Sequence, residues 1–256
     1  MRTLLTLALF AALPLCAAPP DVHAIIQRSV EANNRDFKAA PYYNYQERDK
    51  ISGVTKTYQV TMIDGSPYQR LIALDGKPLT PDQKAAEQRK QQQCEAQRKA
   101  ESSQQRHDRI QKYEQDRARD HEMMAQLSQA FDFTVIGRRK LKGFNVWELK
   151  ATPRPGYRPP NMQCQVLPGM EGELWIDQKT YQWVKVTAKV TRPVSIEGFL
   201  AQVQPGTEFE IEKAPVDNGI WQITHFAVQS HAKVLFLVSR DSAEDDTFFD
   251  FQRVRQ

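Results

Sequence analysis

The side chains that most often carry chemistry are few in this chain, and their spacing is poor for it. The five histidines, His23, His107, His121, His225 and His231, contain no His-Glu-x-x-His pair or other helical metal-ligand spacing. His225 and His231 fall on or between late strand candidates, where partly solvated rings are the ordinary expectation. No Gly-x-Ser-x-Gly elbow, phosphate loop or dinucleotide fingerprint occurs. Glu244, Asp245 and Asp246 are consecutive carboxylates. Strand neighbours alternate between faces, so these do not make a working acid–base pair, and the segment reads as a solvated loop. The expectation is a protein with no catalytic residues, no metal and no cofactor, hence not an enzyme.

Three cysteines remain to be placed. Cys16 lies at the end of an N-terminal apolar run. Cys94 lies among Arg89, Lys90, Arg98 and Lys99, cations that can lower a thiol pKa, but no histidine or second cysteine adjoins it. Cys94 and Cys164 either pair as a disulfide in an oxidising compartment or stay free, since their separation is not set by sequence. Arg138, Arg139, Lys140 and Lys142 in one turn, with Arg154 and Arg158 in a Pro-rich loop, either meet phosphate head groups or acidic partners or stay solvated.

Elements must position whatever these residues do. Arg2, the apolar run from Leu4 to Leu15, and Ala17-Ala18 have the order of a cleaved secretory signal, so residues 1–18 are predicted to be a signal peptide. Cleavage near Ala17 is favoured over lipid anchoring at Cys16, because Pro14-Leu15 precede that cysteine where a small residue is wanted. No later segment is long and apolar enough for a helical span. The mature protein is expected in the periplasm. With 35 Lys and Arg against 31 Asp and Glu in 256 residues, the net charge of +4 gives no reason to expect nucleic-acid binding.

An amphipathic helix is predicted from Asp21 to about Asn33, on the spacing of Val22, Ile25, Ile26 and Val30. Strand patterns follow over Tyr43–Arg48, Lys56–Ile63 and Tyr68–Leu74, with Asp64-Gly65 and Asp75-Gly76 as turns. From 80 to 127 the composition turns to Gln, Lys, Arg, Glu and Ala. Thr80 caps a helix with Pro81 at its first position, and no sustained heptad seam follows. One helix of ~70 Å, or a hairpin broken near Ser102-Ser103, fits this segment. Strands resume at Phe131–Val135 and Phe144–Ala151. The Pro-rich stretch Thr152–Gly169 cannot be a central strand. Gly172–Asp177 and Gln182–Val190 form the clearest hairpin, with Val184, Val186, Ala188 and Val190 on one face. Phe199–Gln204, Glu208–Lys213, Trp221–Gln229, His231–Ser239 and Thr247–Val254 complete about ten strands. The fold class is mainly β with helices (α+β): a curved antiparallel sheet or unclosed β-barrel covered by helices.

The hairpin Gly172-Glu173-Leu174-Trp175-Ile176-Asp177 followed by Tyr181-Gln182-Trp183-Val184-Lys185-Val186 resembles one common in the lipoprotein-localisation factor superfamily (LolA/LolB-like, outer-membrane lipoprotein-sorting proteins). That resemblance implies a half-open barrel over residues 19–256, interrupted by the charged helical insertion at 80–127. It also implies an apolar cavity that carries acyl chains of a lipid or lipoprotein. The alternative it offers is a periplasmic regulator or scaffold that grips an envelope protein through the insertion. The insertion and the Pro-rich loop depart from the basic carrier. A one-sided apolar sheet covered incompletely by short helices leaves an apolar groove. The expected liners, taken from the apolar face of each strand, are Tyr58, Val60, Met62, Trp147, Leu149, Trp175, Val184 and Val186.

Overall fold

The computed structural model describes residues 20–196, 201–234 and 238–254. The predicted signal peptide with Cys16 lies outside these residues, and so does Phe199 of the expected strand Phe199–Gln204. No helix among the described residues is long and apolar enough to cross a membrane.

The chain opens with α1 (Val22–Ala39), capped by the Asp21 carboxylate, which accepts from Ala24 N. Its buried residues, Ile25, Ser29, Ala32, Asn33 and Asp36, recur at helical spacing. The helix does not stop at Asn33-Asn34 as expected. Asn33 donates to the Ser29 carbonyl and accepts from Lys213, so the amide that competes with helix in an open chain is satisfied here. Strands β1 (Tyr43–Ile51), β2 (Val54–Ile63) and β3 (Ser66–Leu74) form a meander, and the short β4 (Lys77–Pro78) edges it.

The polar insertion is a hairpin of α2 (Pro81–Ala100) and α3 (Ser103–Ala130). Each helix begins with a capping box, Thr80 with Gln83 and Ser102 with Gln105, so the break falls where the sequence offered one. Then come β5 (Phe131–Leu141), β6 (Phe144–Pro153), β7 (Met170–Asp177), β8 (Trp183–Val190), β9 (Val194–Ile196), β10 (Ala201–Val203), β11 (Glu208–Asp217), β12 (Ile220–Val234) and β13 (Val238–Arg253). Sequence patterning split β12 at Ser230 and left Glu244–Asp246 in a loop. In the structure Ser230 pairs with Ser242, and the acidic run lies inside β13.

Among the described residues the strands form one antiparallel sheet, ordered β4-β3-β2-β1-β13-β12-β11-β8-β7-β6-β5, with β10 and β9 attached at the end of β12. It is not closed into a barrel, and the class is mixed α+β as predicted. β4 and β5 are the two edges of the main path. The insertion joins them in sequence and therefore must cross the sheet. Ile110 of α3 packs on Gly65 in the β2–β3 turn, and the helix ends beside Phe131 on β5. Twenty residues of helix cover ~30 Å, whereas the nine strand steps from β3 to β5 would need ~43 Å if flat. The sheet therefore curves, and α3 straps its concave face.

The concave core has two main clusters. Ile25 of α1 packs with Leu149, Leu174, Ile176 and Trp183, reinforced by Met124 and Leu127 from α3. Beside it Ala130, Phe131, Ala151, Cys164, Leu167, Met170 and Val190 form a second. Trp183 Nε1 donates to Ser29 Oγ at 3.2 Å, and Lys213 on β11 reaches Asp36 (2.8 Å) and Asn33 (2.7 Å), which fixes the roll of α1.

Candidate functional site

β1 runs under the middle of α3 and sets out the site by alternation. Tyr45, Glu47 and Asp49 share one face, and the facing residues of β13 are Phe248 opposite Glu47 and Asp246 opposite Asp49. On the other flank Val60 lies opposite Tyr45, and Tyr58 opposite Glu47. The face thus has an apolar end and an acidic end.

At the apolar end a cavity of about 260 Å³ lies between α3 and the sheet, lined chiefly by Tyr43, Tyr45, Met62, Tyr113, Phe248 and Phe251. Tyr45 stacks on Phe251 with ring centroids 5.5 Å apart and meets Phe248 edge-on at 6.0 Å. Burial pushes the Tyr45 hydroxyl pKa well above the ordinary phenol value. Gln222 also borders the cavity, and its Nε2 is buried without a partner. Arg117 closes the helix side. Its guanidinium lies 4.3 Å from the Phe37 ring centroid, donates to the Phe37 carbonyl and pairs with Glu114.

At the acidic end Glu47, Asp49, Glu244 and Asp246 gather on the same face. Burial, then the nearby Asp49, push the Glu47 carboxyl up to about 7, although Gln69 donates to it at 2.8 Å. Burial, Glu244 and Asp49 push Asp246 up to about 7 as well. Asp49 is raised by burial and Glu244, with Lys56 opposing. Asp246 is only 7 % exposed, and the Oδ1 atoms of Asp246 and Asp49 are buried with no hydrogen-bond partner.

The eight expected liners do not converge. Met62 lines the cavity, and Tyr58 and Val60 lie on the same face of β2. Trp147, Leu149 and Val186 belong to the concave side too, but they pack against α1 in filled core. Trp175 and Val184 are corrected outright. Leu149 pairs with Leu174, so Trp175 points the other way, into a cluster with Val146 and Trp221. A bulge opposite Trp175 and Ile176 breaks the alternation of β8. It turns Trp183 to the helices and Val184 to the cluster of Val146, Trp175 and Trp221. Sequence reading missed Tyr45, Phe248, Phe251 and Tyr113 as liners, Glu47 as a half-buried acid and Asp246 as a buried one. The available signal was the period-two run Tyr43-x-Tyr45-x-Glu47-x-Asp49.

The other candidates are engaged structurally. Cys94, half-buried on α2, and Cys164, buried beside Val166 and Leu167, are both free thiols. On the outer face Glu210, Glu212 and His225 bring ligand atoms within 4.8 Å of one another. Lys185 already lies 2.6 Å from Glu210 and 3.5 Å from Glu212, and Lys142 pairs with Glu212. Against the upward pull of burial, these ammonium groups hold Glu212 below the usual carboxylate range. Of the basic turn, Arg139 pairs with Glu148 and lies over Trp175, and Lys142 is taken by Glu212. Arg154 is tied to Asp132 and the Phe131 carbonyl. Three of the six basic side chains that could have met phosphate or stayed solvated are thus held by the protein's own groups.

No family model matches the chain, and no curated protein sequence matches it. Among solved structures the chain is similar to the LolA superfamily protein NE2245 from Nitrosomonas europaea. The identity is 12 %, coverage is 93 % of this chain and 95 % of that one, and the TM-score is 0.34. It is also similar to a DUF1329 family protein from Desulfovibrio piger (10 % identity, 89 % and 92 % covered, TM-score 0.29). A third is MucB, solved in complex with periplasmic MucA (11 % identity, 92 % and 100 % covered, TM-score 0.24).

Proposed function

We propose that this protein is a non-catalytic envelope binding protein that holds an acyl chain against the concave face of its sheet, beneath α3. The 260 Å³ cavity of aromatic and thioether side chains under that helix carries the reading. Built apolar pockets for small ligands run ~300–1,000 Å³, so the closed site suits one slender chain segment rather than a bulky group. Burying methylenes yields ~0.8 kcal/mol each, so eight of them supply ~6 kcal/mol without any reaction. The half-barrel is proposed to comprise residues 19–256, with 80–127 as its cover, and residues 1–18 are proposed to export it to the periplasm.

The test is binding of a neutral fluorescent acyl ester, together with mass spectrometry of lipids that co-purify. Met62→Trp and Phe248→Trp fill the cavity and are expected to weaken binding at least tenfold. Unchanged binding in both variants, or no binding by the native protein, overturns the reading.

The regulator or scaffold reading, in which the insertion grips an envelope protein, gains no support from the position of that segment. α3 is committed to the protein's own concave face through Ile110, Tyr113, Met124 and Leu127.

A further inference from the structure

The cavity and the carboxylates belong to one surface, and its charge is unbalanced. On this face β1 carries Tyr45, Glu47 and Asp49, and β13 carries Phe248, Asp246 and Glu244, with Phe248 opposite Glu47, Asp246 opposite Asp49 and Glu244 opposite Ile51. Two residues of strand advance ~7 Å, so Glu47 stands one pleat repeat beyond Tyr45 and directly opposite Phe248, and Asp246 stands one repeat beyond Phe248. Charged and titratable groups meet this patch from every side. β2 contributes Lys56 opposite Asp49 and Tyr58 opposite Glu47, β3 contributes the neutral Gln69, and α2 brings Glu87 toward Tyr58. α3 contributes Tyr113 and, at the far end of the cavity, Arg117, already paired with Glu114. β12 contributes only Phe226 and Val228 opposite Asp246 and Glu244. Four carboxylates therefore face one lysine. A solvated acidic loop would need no further explanation. Asp246 is different, because it is buried and one oxygen lacks any donor. An unpaired buried carboxylate is costly, and an ammonium that donates to it removes the cost.

Resting on the acyl-binding reading, the geometry points to a more specific ligand: a single-chain amphiphile with a positively charged amine head. Its chain occupies the cavity of Tyr45, Met62, Tyr113, Phe248 and Phe251. Its head group donates to Asp246, Asp49 and Glu47. A neutral or anionic head of the same chain length leaves the Asp246 and Asp49 oxygens unsatisfied, and an anionic one adds repulsion.

Calorimetric titration of the full-length mature protein below micelle concentration separates the outcomes, with dodecylammonium, a neutral dodecanoyl ester and dodecyl sulfate as probes. Dodecylammonium is expected to bind at least tenfold more tightly than the ester at pH 8, and dodecyl sulfate more weakly than either. At pH 5, where Glu47 and Asp246 hold protons, the preference shrinks. Glu47→Gln with Asp246→Asn abolishes the preference for dodecylammonium over the ester. Equal binding of dodecylammonium and ester overturns this inference alone and leaves the acyl-binding reading standing. Failure of all three probes overturns both. Calcium chloride binding that these substitutions abolish, with no amine preference, overturns the inference in favour of a bare cation.

Discussion

Asp246→Asn is expected to make the protein more stable at pH 8 and less sensitive to pH. A carboxyl held at about 7 instead of 3.8 differs by about 4 kcal/mol between its two protonation states. Screening by solvent at the half-buried Glu47 and Asp49, and relaxation on charging, reduce the net effect to roughly 2 kcal/mol. The sign follows from proton counting. Below about pH 4 the native and unfolded chains both hold the proton. Between pH 4 and 7 the native chain keeps protons on Glu47 and Asp246 that the unfolded chain has released. Stability therefore falls as pH rises through this window and stays lower above it. His121 opposes this trend, since burial and Lys213 hold it below 6.5, so the informative quantity is the difference between native and variant. With a urea slope of ~2 kcal/mol per molar, Asp246→Asn should raise the midpoint by about 1 M at pH 8 and by much less at pH 5. Equal midpoint changes at the two pH values, or a loss of stability at pH 8, would refute the claim that Asp246 is charged at a cost.

Three further outcomes follow from single contacts. Lys213→Met strands the buried Asp36 and Asn33 and should cost ~3–5 kcal/mol in urea unfolding, with a loss under ~1 kcal/mol rejecting the pair as the anchor of α1. Gly172→Ala places a methyl 2.4 Å from the Thr187 carbonyl oxygen and 3.2 Å from Ala188 Cα, in backbone that cannot rotate away. It should cost ~1–3 kcal/mol, read as a melting temperature several degrees lower, and an unchanged melt would contradict that close approach. Thiol labelling under native conditions should modify Cys94 well before Cys164, whose thiol burial and Glu122 raise above its ordinary pKa. Simultaneous labelling of both would count against the burial of Cys164.

What the sequence made legible were features decided within a few residues. Thr80-Pro81 and Ser102-Ser103 carry their capping partners three positions on, so both helix starts could be read. Asp64-Gly65 and Asp75-Gly76 meet the positive φ that their turns require. The site was less visible because its determinants are non-local. The bulge that turns Val184 away from the helices exists only in the pairing of β8 with β7. Tyr45 and Phe248 become neighbours only when β13 returns beside β1. The acidic run Glu244–Asp246 carries the composition of a loop. Its strand state is imposed by hydrogen bonding to β1 and β12 on both flanks, which overrides local preference. The seam of α3 was hidden by Arg117, which sits between Tyr113 and Met124 where an apolar residue would have revealed it. Its guanidinium lies over the Phe37 and Tyr113 rings and so does an apolar residue's packing with a charged side chain.

The position of β4 and β5 changes what the polar insertion can be. A detachable arm would leave and re-enter the sheet at neighbouring strands, so its removal would leave a closable gap. Here the two ends of the insertion lie at opposite edges of the main strand path. Deleting Pro81–Leu127 leaves only Leu79, Thr80, Ser128, Gln129 and Ala130 to join them. Fully extended, five residues reach ~17 Å, against the ~30 Å that α3 spans between Gly65 and Phe131. The deleted chain cannot keep both edges in place, and it also uncovers Tyr45, Phe248 and Phe251. The expected result is loss of the cooperative unfolding transition rather than a folded sheet lacking one function. A soluble deletion variant with a native-like cooperative melt would show that the strap is dispensable and that the curvature of the sheet is held by the strands alone.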